Sequence, residues 1–326
     1  MPVLLTENDV RAVLSMPDLI ETMRDALVQY SAGAAQQPLR SVLELGAQRA
    51  FFGVMPAALS SPAAVGTKLV TVFPTNRERG LPSHFATIAL LDPATGALAA
   101  LVDGRYITEA RTAAVSALSV RLLARKDAAT LALIGSGVQA RSHLEAFRCV
   151  RTLTDVRVWS PDAARRSAFA GEMQAQTGLR IQAVNSAREA VNGADLIVLA
   201  TSSCVPVIEN AWVADGAHIA AVGACRPTHR EMDSALVARA RTFVDSRAGA
   251  FAEAGDIVMA IADGTITRDH IAAELGELAA GLVAGRGDQR QVTLFKSLGM
   301  AVEDVGAAHL ALVRAKARGL GFEFSM

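Results

Sequence analysis

The stretch "LALIGSGVQARSHLEAF", residues 131–147, ends an apolar run in two glycines and starts a helical pattern immediately after them. Gly135, Ser136, Gly137, Val138, Gln139 and Ala140 fit the pattern G-x-G-x-x-A. The first glycine permits a tight turn, and the second lets backbone approach a pyrophosphate. The small third position allows helix and strand to pack closely, and the N-terminus of the helix faces the anion. On its own such a match is weak, so its surroundings decide its meaning. Here strand-like runs at 129–134, 156–159, 180–184, 195–200, 218–222 and 241–245 alternate with helical segments. That rhythm predicts an α/β fold, a doubly wound parallel Rossmann sheet covered on both faces, with a dinucleotide at its glycine turn.

The end of the second of these strands distinguishes the two common dinucleotides. An NAD site usually places an acid there for the ribose 2′-hydroxyl. The run "VRVWSPDAARR" instead has Ser160, with Asp162 two residues on and Arg165 and Arg166 beyond. A hydroxyl followed by arginines suits a 2′-phosphate, so NADP is the expected cofactor. Asp162 keeps NAD as the alternative.

The turn arrives late, leaving about 130 residues in front of it. These open with two helix-start signals, "TEND" from Thr6 and "SMPD" from Ser15, each a hydroxyl followed three residues later by an acid. From Arg40 to Asp103 the texture turns to short β-rich runs, and "LLDPATGALAALVD" reads as a hairpin turning on Asp92, Pro93 and Gly96. A long helical pattern follows from Arg105 to about Asp127, and a last one runs from about Leu298 to Ala317.

Of the 326 residues, 51% are hydrophobic and 20% charged, with 32 basic and 32 acidic residues in balance. No charge excess points to nucleic acid or an anionic membrane. No apolar stretch approaches the roughly 18–20 residues of a membrane span. "MPVLLTENDV" lacks the features of a signal peptide. Three scattered cysteines give neither a disulfide framework nor a zinc site, and no His/Asp cluster suggests another metal. A soluble cytoplasmic protein is expected, with neither nucleic acid nor membrane as a partner.

Three cations interrupt uncharged runs in the first part of the chain: Arg40, Lys68 in "AAVGTKLVTVF", and Arg111 in "ITEARTAAVSAL". Lysine and arginine are rarely buried without an anion. Each could serve a structural ion pair. Beside a dinucleotide site, an anionic substrate is the better expectation.

The order of "GTKLVTVFP", "RGLPSH", "LLDPATGALAALVDG", "EARTAAVSAL", "LIGSGVQA", "AVGACRPTHREMD" and "TLFKSLGMAVEDV" resembles that of the ornithine cyclodeaminase/mu-crystallin family, over nearly the whole chain. The resemblance implies an α+β substrate-binding and dimerisation domain over 1–118, completed by a C-terminal helix at 300–326. It implies a Rossmann domain over 119–299, and a homodimer. It implies that Arg40, Lys68 and Arg111 bind the substrate carboxylate, with His84 close by to hydrogen-bond substrate or relay a proton. Thr112 would lie beside the cofactor phosphates. Thr201, Gly223, Ser297 and Gly299 would complete the cofactor site begun by the glycine turn, Ser160 and Arg165.

Cyclodeaminases of this family carry an acid where this chain has Cys225 and another where it has Gly53. A closed pocket without those carboxylates suits a dicationic substrate poorly. "GACRPTHRE" resembles the reductase-like members instead. The expected activity is therefore reduction of a small cyclic imino acid, Δ1-pyrroline-2-carboxylate or Δ1-piperideine-2-carboxylate, to L-proline or L-pipecolate. Ornithine cyclodeaminase is the alternative, and a non-catalytic ligand-binding protein is the alternative of another class.

Overall fold

The computed structural model describes residues 1–46 and 50–325. Contacts divide the chain into one unit of Met1–Arg111 with Gly299–Met326, and a second of Thr112–Leu298. The division falls within the long helix near the middle of the chain, and residue 118 lies farther along the same helix.

The first unit is α+β. Its strands are β1 (Val3–Leu5), β2 (Ser41–Leu45), β3 (Ala50–Ser60), β4 (Ala63–Val72), β5 (His84–Leu91) and β6 (Leu98–Asp103). With a final short strand, Phe322–Glu323, they form one sheet in the order final strand, β1, β6, β5, β4, β3, β2. The pairings from β2 through β6 are antiparallel, while β1 runs parallel to β6. Both helix-start signals act as expected. Thr6 and Asp9 form a capping box on α1 (Glu7–Val13), and Ser15 caps α2 (Met16–Ser31). Strand β1, three residues before the first cap, carries too short a pattern to be read from sequence. The β5–β6 hairpin turns on Asp92, whose Oδ1 accepts from the backbone of Ala94 and Thr95 at 2.9 Å each, and on Gly96 at φ +73°.

Strand alternation explains why a lysine is buried here. Ala64, Gly66, Lys68 and Val70 share the inward face of β4. The C-terminal helix, Ala301–Ala317, packs over β3, β4, β5 and α2. Helix and sheet cover thus enclose Lys68 along with its apolar neighbours.

The second unit is the Rossmann fold. Strands β7 (Thr130–Ile134), β8 (Asp155–Trp159), β9 (Ile181–Ala183), β10 (Leu196–Leu199), β11 (His218–Ala221), β12 (Arg241–Val244), β13 (Ile271–Glu274) and β14 (Thr293–Lys296) form a sheet in the order β13-β12-β14-β11-β10-β7-β8-β9. Every pairing is parallel. Strand β10 lies beside β7, so the order reverses at β7, the switch point where dinucleotides bind. Among the described residues, no helix is long and apolar enough to cross a membrane.

The long helix, α3 (Gly104–Leu123), is buried at every residue from 110 through 120, as its run of alanine, serine and valine implies. Its two buried serines meet buried histidines of the Rossmann unit. Ser116 Oγ lies 2.9 Å from His143 Nε2, and Ser119 Oγ lies 3.0 Å from His218 Nε2. Burial holds these imidazoles at about 4 and about 3 respectively, well below the ordinary 6.5. Both are neutral when folded, whereas the unfolded chain takes up their protons below its ordinary value. Their stabilising contribution is therefore complete above about pH 6.5 and is lost as pH falls toward the folded values, at about 1.4 kcal/mol per pH unit for each. Chemical denaturation between pH 7 and pH 5 should show stability falling on acidification. Replacing either histidine by asparagine should flatten that fall.

Candidate active site

Four residues singled out in the sequence gather in the first unit. Lys68 Nζ lies 2.6 Å from Asp304 Oδ2, and both are buried. Arg111 Nε donates to Asp304 Oδ1 at 3.0 Å, while its Nη1 donates to Glu303 Oε2 at 2.8 Å. Lys68, Asp304, Arg111 and Glu303 thus form a continuous chain of alternating charge. Glu303 and Asp304 stand in the first turn of the C-terminal helix, where its dipole favours anions. Gly299, at φ +80°, allows the closure: a Cβ there would lie 2.3 Å from Arg111 Nη1.

The anions facing Lys68 and Arg111 are therefore side chains of the same unit, a feature that reading the cations alone did not supply. "AVEDV", a pair of acids inside an otherwise apolar helix, was the available signal.

Burial lowers the Lys68 ammonium to about 8, with Arg111 and Arg40 pressing the same way and Asp304 opposing. Arg40 is half-buried, just before β2. His84 begins β5 on the same inward face; burial first, then the charges of Lys68 and Arg111, bring it to about 4. It is therefore a neutral imidazole at neutral pH, suited to hydrogen bonding rather than to proton donation from an imidazolium.

Neither place at which the chain lacks an acid is empty space. Gly53 is buried in β3, and a Cβ there would lie 3.0 Å from Val70 Cγ1. Cys225 is half-buried and its Sγ lies 3.4 Å from the carbonyl oxygen of Val222.

The Rossmann unit holds the remaining candidates. Gly135 follows β7 at φ +121°, and a Cβ there would lie 2.4 Å from the carbonyl oxygen of Ala200. Gly137 is the N-cap of α4 (Val138–Arg148) and provides no side-chain cap for its N–H groups; a Cβ there would meet nothing within 4 Å. Open backbone donors at a helix N-terminus, beside space only a glycine leaves, fit a pyrophosphate. Ala140 is buried where helix meets strand, as the motif requires, while Val138 is exposed. Gln139 shares the first turn of α4. Thr112 is buried on α3.

Ser160 follows β8, its Oγ 2.8 Å from Ser136 Oγ. Asp162 is committed to capping α5 (Ala163–Thr177): its Oδ1 accepts from Arg165 N at 3.0 Å and its Oδ2 pairs with Arg165 Nε at 3.1 Å. Arg166 donates to the Ser160 carbonyl at 3.0 Å. Arg166 and the Ser160 hydroxyl thus stand at the end of the second Rossmann strand, while Arg165 and Asp162 pair in the first turn of α5.

The Rossmann unit also buries charges that the sequence reading did not single out. Glu231, Asp256 and Lys296 are each at most 1% exposed; Glu231 lies in the loop after β11, Asp256 in the helix Gly255–Ala262, and Lys296 at the end of β14. Glu231 sits in "THREMD", which reads as surface, and only Lys296 interrupts an apolar run. Burial pushes the Glu231 carboxyl up, with Lys296 opposing. For Lys296, burial pulls down, but Asp256, Cys225 and Glu231 together leave it raised. Ser297 and Leu298 follow Lys296; Leu298 N donates to the buried Asp245 Oδ2 at 2.6 Å. Among the described residues, no group of three or more His, Cys, Asp or Glu is placed to hold a metal ion.

A family model described as the ornithine cyclodeaminase/mu-crystallin family matches residues 1–319. The mouse ketimine reductase mu-crystallin is 40% identical over 313 residues, covering 95% of this chain and 96% of the relative. The structure of Thermococcus litoralis Δ1-pyrroline-2-carboxylate reductase in complex with NADH and L-proline superposes with a TM-score of 0.97 at 39% identity, over 99% of this chain and 100% of that one. An archaeal alanine dehydrogenase dimer with bound NAD follows at TM-score 0.94 and 31% identity, over 100% of this chain and 99% of that one.

Proposed function

Because the chain belongs to the ornithine cyclodeaminase/mu-crystallin family, we propose that it is an NAD(P)H-dependent ketimine reductase. Its substrate is a cyclic imino acid, Δ1-pyrroline-2-carboxylate or Δ1-piperideine-2-carboxylate, and its product L-proline or L-pipecolate. The observation that carries this reading is the buried chain Lys68–Asp304–Arg111–Glu303. Both of its carboxylates are already paired with cations, and positions 53 and 225 hold no acid. A second ammonium, as on ornithine, would enter without a counterion, and unpaired buried charge is costly. A ring iminium with one carboxylate places no such demand on the site.

In the proposed mechanism Lys68, Arg111 and Arg40 hold the substrate carboxylate. Asp304 and Glu303 fix the Arg111 guanidinium in one plane and hold Lys68 in place, so the site is organised before substrate arrives. Neutral His84 hydrogen-bonds the substrate without adding charge. Gly135 to Ala140, Ser160, Arg165, Thr112, Thr201, Gly223, Ser297 and Gly299 would hold the dinucleotide. When bound, its nicotinamide supplies a hydride to the C=N carbon. The π pair of the iminium passes to nitrogen and leaves a secondary amine, so no proton has to move in the step itself.

The commitment of Asp162 to α5 supports NADP over NAD, and the NADH and NAD of the solved relatives make NAD the competing cofactor. A homodimer is proposed with it. Its support is the exposed apolar run Leu39, Val42, Leu43 and Leu45 at the sheet edge, together with the dimeric archaeal relative.

The test is steady-state oxidation of NADPH and NADH with each cyclic imine, beside NAD-dependent ammonia release from ornithine. Imine reduction should dominate, with kcat/KM for NADPH above that for NADH by about tenfold, some 1.4 kcal/mol, which a phosphate–arginine contact readily supplies. Ornithine turnover without imine reduction would overturn the proposed activity. Equal use of the two dinucleotides would show that the arginines beyond Ser160 do not read the phosphate.

A further inference from the structure

The buried carboxylate of Glu231 touches backbone at two strand ends at once. Its Oε1 accepts from Thr201 N at 2.7 Å and Thr201 Oγ1 at 2.8 Å, just beyond β10. Its Oε2 accepts from Gly223 N at 2.8 Å and Ala224 N at 3.2 Å, just beyond β11. Four donors on one carboxylate make a rigid staple between neighbouring loops. Asp256 anchors it from behind, its Oδ1 accepting from Glu231 N at 2.7 Å and its Oδ2 lying 3.2 Å from Lys296 Nζ on β14.

Two glycines show how tightly this loop is held. A Cβ on Gly223 would lie 2.2 Å from the carbonyl oxygen of Thr201 and 2.4 Å from Glu231 Oε1. A Cβ on Gly255 would lie 1.9 Å from the carbonyl oxygen of His229. Backbone approaches this close are open only to glycine. The staple therefore sets where the ends of β10 and β11 lie relative to one another.

A Rossmann sheet binds its dinucleotide as two mononucleotide halves on either side of the switch point. The glycine turn, Ser160 and the arginines belong to β7 and β8, on one side. The Glu231 carboxylate bonds the loops that follow β10 and β11, on the other. We propose that Glu231, braced by Asp256 and Lys296, is a positioning residue for the nicotinamide half of the cofactor. It acts through the backbone of Thr201, Gly223 and Ala224, and leaves the adenylate half to the glycine turn. The inference rests on the dinucleotide reading above.

Glu231→Gln keeps size and hydrogen-bonding capacity but turns an NH2 group toward one of the two pairs of donors. The experiment is calorimetric titration of wild type and Glu231→Gln with whichever of NADPH and NADH binds wild type more tightly. Each protein is also titrated with the matching adenylate fragment, 2′,5′-ADP or ADP. The dinucleotide Kd should rise about tenfold or more, the weight of a lost charge-assisted hydrogen bond, while fragment affinity stays within about twofold. A merely structural role would weaken both ligands by the same factor and would overturn the inference, as would unchanged dinucleotide affinity. If Glu231→Gln does not fold, Thr201→Val, which removes a single donor, carries the same comparison with an expected dinucleotide loss of about threefold. Failure of the wild type to bind either dinucleotide would instead sink the cofactor reading, and this inference with it.

Discussion

Lys68→Ala should lower turnover of the cyclic imine by about a hundred- to a thousandfold, the effect of removing one partner of a desolvated charge contact with substrate. The affinity for NADPH should stay within about twofold, because Lys68 pairs with Asp304 and belongs to the substrate clamp, not to the proposed cofactor set. Folding should suffer little, since Asp304 keeps Arg111 as a partner at 3.0 Å. The pH profile supplies an independent check. Lys68 is held at about 8 instead of the ordinary 10.5. It is an ammonium below that pH and loses its charge above it. Wild-type kcat/KM should therefore fall as pH rises through about 8. Lys68→Arg stays charged throughout, so whatever activity it retains should show no such fall. Full activity in Lys68→Ala would show that Lys68 only neutralises Asp304.

Arg111→Ala should be the more damaging to the fold. It strips the shared cation from Glu303 and Asp304, both fully buried, and leaves Lys68 alone to face two carboxylates. Removing one partner of a buried pair costs about 3–5 kcal/mol, on the order of 10 °C in Tm for a chain of this size. Adding Glu303→Gln to Arg111→Ala removes one orphaned charge and should recover part of the loss. Thermal unfolding of the two variants beside wild type measures both effects. An unchanged Tm in Arg111→Ala would mean the charge chain contributes nothing to holding the C-terminal helix on its sheet.

The opposite predictions for two neighbouring cations show what the sequence could and could not convey. Lys68 and Arg111 were legible because a charge inside an apolar run stands out against period-two and period-3.6 patterns. Their partners were not, because Glu303 and Asp304 come nearly two hundred residues after Arg111 in the chain, and pairing over that separation is set by tertiary packing. The Rossmann unit was legible through its glycine turn and alternating rhythm. Strands β13 and β14, four residues each, escaped that reading. Glu231 was hidden for a different reason. "THREMD" has the composition of a solvated loop, and only the folded chain turns its carboxylate inward onto four backbone and hydroxyl donors. Asp162 could not be assigned from sequence either, since a capping acid and a ribose-binding acid look alike until the helix behind them is placed.

The central claim is that hydride passes from a nicotinamide to the C=N carbon of a ring imine held by its carboxylate. Its most direct test follows the hydrogen itself. The protein is incubated with Δ1-pyrroline-2-carboxylate and NADPH carrying deuterium at both C4 positions, and the proline formed is examined by mass spectrometry and NMR. The predicted result is L-proline carrying a single deuterium at C2. Proline without deuterium at that carbon, or ammonia released from ornithine with no reduction of the imine, would contradict it.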